Sequence, residues 1–255
     1  MELLLLIVAA FLTSAVSATI GMAGGVTLLG IMTLFFPSGY QVVAMHGVIQ
    51  LFSNVIRTFM FRKHLKSYIV KNFLPWAIVG LMLSAGIILL IIYFAGVIQK
   101  GDLKLDFIKP LIGIFILWFL FGKRFKINVT EKSYRYMGVI SGIASVFVGA
   151  TGPLIAPFFI KDKLTKNEVV ANKAFCQSVN HLGKLPIFYF LIGFNYFAEM
   201  DTLLPLIAAV IVGTWLGKRF LSFIPERIFQ IIFKVLLSLI AMRLILEQVI
   251  KYISS

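Results

Sequence analysis

Gln41-Val-Val-Ala-Met-His-Gly-Val-Ile-Gln50 lines up without a gap on Glu168-Val-Val-Ala-Asn-Lys-Ala-Phe-Cys-Gln177. The two stretches share the Val-Val-Ala triplet and a glutamine eight residues after Val42 and Val169. Working outward with small gaps, Gly21 and Gly24 pair with Gly149 and Gly152, Arg57 with Lys184, and Pro75 with Pro205. Matches in one order at several places read as a duplication. The halves are residues 1–125 and 126–255, two repeats within a single membrane domain.

The solvent of these halves follows from composition. Of 255 residues 60% are hydrophobic and only 13% charged, and the mean hydropathy is +0.99, outside the usual range of soluble domains. Apolar runs long enough for a hydrocarbon core of ~30 Å recur, as in Phe73 to Val97, Met137 to Ile160 and Leu203 to Leu216. A backbone in lipid must satisfy its own hydrogen bonds, so an all-α polytopic membrane protein is expected. Residues 3–12 are preceded by Glu2 and by no Lys or Arg, which reads as a retained helix rather than a secretory leader. The formal charge of +14 would suggest nucleic acid in a soluble chain, but the basic residues fall in short loops where they orient membrane spans; nucleic acid is not an expected partner. Cys176 has no second cysteine to pair with, so neither a disulfide framework nor a thiolate metal site is available.

Lys and Arg mark cytoplasmic loops. Residues 62–71 (Arg62, Lys63, Lys66, Lys71) and 123–135 (Lys123, Arg124, Lys126, Lys132, Arg135) are assigned there, with two crossings, 73–98 and 108–122, placing Asp102 and Asp106 outside. In the second half 161–166 and 218–227 read as cytoplasmic, and 194–202, with Glu199 and Asp201, as external. For 123–135 and 161–168 to share a face, the segment between them must enter and return, turning near Gly149-Ala-Thr-Gly-Pro153; residues 3–36 would turn likewise near Gly21-Met-Ala-Gly-Gly25. Each half is then a re-entrant or broken helical hairpin plus three transmembrane helices, and the odd number of crossings gives two inverted repeats, with both termini outside the cytoplasmic (inner) membrane. The rival is eight plain crossings in parallel halves, since Met137 to Ile160 is long enough to span.

Two constellations carry chemistry. The glycine clusters, Gly24 and Gly25 in one half and Thr151 and Gly152 in the other, break helices where freed N–H groups could face an anion. Close helix packing is the plainer reason for such glycines. Behind each hairpin runs a polar stripe: His46, Gln50, Ser53 and Arg57, matched by Lys173, Gln177, Asn180 and Lys184 with the same spacings of four, three and four, which share one helix face. Gln50 and Gln177 fall near the middle of their apolar runs and could donate to an oxyanion, or simply bond helix to helix. His181 and Lys184 belong to the same deep region, while Arg57, Asn54 and Ser53 fit gating or positioning, and Arg57 and Lys173 could instead snorkel. All ten carboxylates lie in loops or near helix ends. That disfavours metal ions and organic cations as cargo and leaves His46 and His181 as the side chains for any proton coupling. No nucleophile-base pair or metal-ligand spacing is present, so neither an enzyme nor a cofactor is expected.

The stretches Ile20-Gly-Met-Ala-Gly-Gly-Val26, Val148-Gly-Ala-Thr-Gly-Pro-Leu154 and Val169-Val-Ala-Asn-Lys-Ala-Phe-Cys-Gln-Ser-Val-Asn-His-Leu-Gly-Lys184 resemble the sulfite-exporter or organosulfonate permease family, TauE/SafE, and the resemblance covers essentially the whole chain. It implies a permease, moving sulfite, sulfoacetate, sulfonates or related compounds. The sequence departs from the commoner pattern at Pro153, His46 and Lys173. The function expected is therefore secondary transport of a small sulfur-containing anion; a passive anion channel and a non-transporting membrane assembly protein are the alternatives.

Overall fold

Gly149 takes φ +87°, a left-handed backbone that suits glycine, and there the apolar run from Met137 to Ile160 stops being one helix. It divides into α6 (Ser133–Phe147) and α7 (Gly152–Lys161). The first half divides at the equivalent place, into α1 (Glu2–Ile20) and α2 (Gly24–Phe35). The remaining helices are α3 (Gly39–Met60), α4 (Ser67–Phe94), α5 (Ile108–Phe121), α8 (Lys166–Ile187), α9 (Met200–Phe220) and α10 (Glu226–Ile253). This computed structural model describes all residues except 21–23, 97–106, 123–128, 162–163, 221–225 and 254–255. Gly21, Asp102, Asp106, Lys123, Arg124, Lys126 and Lys163 lie outside the described residues, as do the side chains of Lys161, Lys218, Arg219 and Arg227. Among those described there is no strand.

A shift of 127 residues carries α3 onto α8 at both ends, the last residue of α1 onto that of α6, and each end of α2 to within one residue of α7. Local chemistry explains several boundaries. Thr165 and Glu168 form a reciprocal capping box that starts α8. Pro186 lacks the N–H that would close the next helical bond; the chain widens into a π turn at Phe188–Ile192 and ends at Gly193, φ 82°. Among the described residues three helices, Gly39–Met60, Ser67–Phe94 and Tyr196–Gly217, are long and apolar enough to cross a membrane. Their outward residues are large and apolar, as with Met82, Leu90 and Leu204, at 69%, 57% and 59% exposure, a surface that suits lipid rather than water.

Packing joins each half to the other. A methyl group at Gly138 would sit 2.8 Å from Phe73 O, and one at Gly142 would sit 2.7 Å from Ala77 O. Glycine thus lets α4 and α6 touch backbone to backbone. Gly213 and Gly217 do the same for α9 against Phe11 O and Ala15 O of α1. In both pairs residue numbers rise together, so the partners run parallel. The contacts of α4 with α8 also rise together: Asn172 bonds Lys66 N and His64 O, and Gly183 meets Leu81. So do those of α3 with α9, from Gln41–Glu199 to Ser53–Thr214. Between α3 and α8 the order reverses, since His46 meets His181 while Arg57 lies near Lys173. Helices α1, α3 and α9 therefore run one way, and α4, α6 and α8 the other. One end of the bundle carries Lys66 paired with Glu168 at 2.6 Å and Arg135 bonded to Asn72; the opposite end carries Ser38, Glu199 and Glu247.

Candidate functional site

The starts of α2 and α7 meet the middles of α3 and α8 around a small cavity. Its lining comprises Ser17 of α1, Gly25 and Val26 of α2, His46 and Gln50 of α3, Ala150, Gly152 and Pro153 at the start of α7, and Lys173, Gln177 and His181 of α8. At about 20 Å³ it has room for about one water. An oxyanion of three or four oxygens is larger, so its admission requires the helix starts or the amides to give way.

The two amides stand in matching places. A methyl at Gly25 would lie 3.3 Å from Gln50 Oε1, and one at Gly152 would lie 3.2 Å from Gln177 Nε2. Each glycine precedes its glutamine by the same number of residues, and in each case the missing side chain brings the amide against a helix start. Lys173 closes the same side, with Nζ 3.9 Å from the methyl position at Gly152. His46 Nε2 lies 2.8 Å from Gly25 O; a carbonyl only accepts, so this nitrogen carries the proton and donates. The His46 and His181 rings meet edge to face with centroids 5.7 Å apart, and Nδ1 of each lacks a hydrogen-bond partner. The lining offers donors from two amides, an ammonium and two helix starts, and none of its residues is acidic.

The other residues singled out in the sequence are buried but do not line the cavity. Gly24 is a packing glycine, because a methyl there would fall 2.1 Å from Thr13 O; Gly25, the residue one shift of 127 before Gly152, stands in the place expected for it. Lys184 is fully buried and gives its protons to Ser145 O and Gly149 O at 3.3 and 3.2 Å. These carbonyls are left over where α6 breaks, so the ammonium caps a helix end. Ser53 bonds Thr214 Oγ1 at 3.0 Å, Asn54 Nδ2 donates to Gln50 O at 2.9 Å, and Arg57 Nη2 donates to Ser53 Oγ at 3.2 Å. Asn54 thereby braces the helix turn that carries Gln50. Thr151 Oγ1 and both amide atoms of Asn180 are buried without a partner. Sequence reasoning missed Ser17, whose only signal was a hydroxyl late in an apolar helix, and Thr214, which reads as an ordinary residue of a span.

The family model described as Sulfite exporter TauE/SafE matches residues 6–244. The chain belongs to the sulfite exporter TauE/SafE family. No curated protein and no solved structure matches it. TauE/SafE proteins are membrane transporters, and with the apolar helices described above this one is a multi-pass membrane protein. The family implies a small anionic substrate, and the cavity of this chain is lined by donors and a cation with no carboxylate among its residues.

Proposed function

We propose that this protein is a secondary transporter that moves a small sulfur-containing anion, such as sulfite or an organosulfonate, across the cytoplasmic membrane, and that the cavity between α2, α3, α7 and α8 is its binding site. The observation that carries this reading is the convergence of Gln50, Gln177, Lys173 and two helix starts on one acid-free hollow. Gly25, Gly152, His46 and His181 complete the site. Arg57, Ser53 and Asn54 position it, and Lys184 holds the broken helix that presents Gly152.

The two halves, 1–125 and 126–255, are read as inverted repeats. Supporting this, α1 and α3 run opposite to their counterparts α6 and α8, and the exchange of partners is mutual: the first helix of each half lies on the fourth of the other. A two-fold axis across antiparallel equivalents lies in the membrane plane, the arrangement that permits alternating access. Basic residues at the α3–α4 turn and at the starts of α6 and α8 favour a cytoplasmic location for that end and an external one for both termini. A cavity with room for about one water supports a gated carrier over an open channel. Protons coupled through His46 and His181 fit the same site.

Counterflow in proteoliposomes tests the reading. Vesicles preloaded with unlabelled sulfite should accumulate labelled sulfite transiently and with saturation, and taurine, thiosulfate and sulfoacetate inside them rank the cargo. Uptake that neither saturates nor responds to any trans anion would defeat the carrier assignment.

A further inference from the structure

At the end of the bundle away from the basic loops, a second hollow of about 160 Å³ lies between the start of α3, the start of α5 and the last turns of α10, lined by Ser38, Gly39, Lys109, Glu247 and Gln248 among others. It is several times larger than the central cavity and has room for a polar group rather than a single water. Its chemistry is also different. Lys109 and Glu247 face the same space and feel each other's charge, yet no ion pair joins them; Glu247 is paired along its own helix with Arg243. Opposite charges thus stand across a gap that neither side chain closes. The helix turns that line it also present apolar side chains outward: Phe107, Leu246 and Ile250 are 41%, 53% and 63% exposed.

A carboxylate in the lining opposes a simple anion, and Lys109 with Arg243 opposes a simple cation. A zwitterion whose two charges are a few bonds apart satisfies both, and the apolar flank requires it to carry hydrocarbon. We propose that this hollow binds the headgroup of phosphatidylethanolamine, with the phosphate on Lys109, the primary ammonium on Glu247 and the Gln248 amide oxygen, and the acyl chains along Phe107, Leu246 and Ile250. A primary ammonium brings three N–H donors, which choline lacks and glycerol lacks with charge. The site is independent of the transported anion, and no step of transport is assigned to it.

Native mass spectrometry of the full-length protein, doped with equimolar phosphatidylethanolamine, phosphatidylglycerol and phosphatidylcholine, tests the proposal. The wild type should retain phosphatidylethanolamine about tenfold over the other two, the scale of a hydrogen-bonded charge contact. Glu247→Gln should erase this preference, and Lys109→Gln should lower retention of all three lipids. Arg243→Gln breaks the same helix ion pair but leaves the carboxylate, so its preference should persist; thermal melts of the variants verify folding. Equal retention of the three lipids by the wild type, or loss of preference in Arg243→Gln as complete as in Glu247→Gln, would overturn the assignment.

Discussion

Gln50 and Gln177 each press an amide on a glycine in the first turn of a short helix, and neither has a carboxylate for a neighbour in the cavity. Replacing Gln177 with Ala removes one donor, whereas Gln177→Glu puts a fixed negative charge beside Lys173. A hydrogen bond to a charged ligand contributes about 1.5–3 kcal/mol, so uptake by Gln177→Ala should fall roughly ten- to a hundredfold. Gln177→Glu should fall further, with no sulfite-induced thermal shift; equal activity of the two variants would argue against an anion at this place. The adjacent glycines separate packing from binding. Gly24→Ala drives a methyl into backbone, Thr13 O, and should lower the melting temperature and the yield of folded protein. Gly25→Ala meets only the flexible end of Gln50 and should fold while losing transport. The periodic stripe from His46 to Arg57 and its copy were legible because equal spacings put residues on one helix face. The duty of Lys184 was not legible: it depends on the carbonyls left over by a break in another helix, and no spacing along α8 encodes them.

At the scale of elements, the helix breaks were readable from Gly21–Gly25 and Gly149–Pro153, because clustered glycine and proline weaken helices wherever they stand. The π turn after Pro186 was not readable, since a proline alone does not say whether a helix kinks, widens or stops. Lys184 ties α8 to the end of α6, so Lys184→Met leaves two buried carbonyls without a donor, at about 1–3 kcal/mol each. Thermal unfolding in detergent should show that loss, and Lys184→Arg, which keeps donors in reach, should recover part of it. A melt unchanged in Lys184→Met would mean that α6 ends without need of the cap.

For the whole molecule, composition made a helical membrane protein legible, because hydrocarbon admits few backbone solutions. The choice of partners was not: nothing in α4 names α6 rather than another apolar helix, and glycine positions explain the fit only once the partner is known. Orientation can be tested with neighbouring, near-equivalent positions of the two halves. In a Cys176→Ser background, Ser38→Cys and Lys166→Cys should label from opposite faces of the membrane; labelling from one face would contradict inversion.

Because α1 rests on α9 and α4 on α6, neither half can finish its packing from its own residues. During synthesis α1 leaves the ribosome about two hundred residues before the helix that covers it, at roughly 5–20 residues per second. The growing chain must therefore wait in the bilayer as an open, unfinished body, within reach of insertases and proteases, and it matures only when α9 arrives. Expressed as separate genes, the two halves should each be short-lived and should survive together, since each would supply the surface that the other lacks.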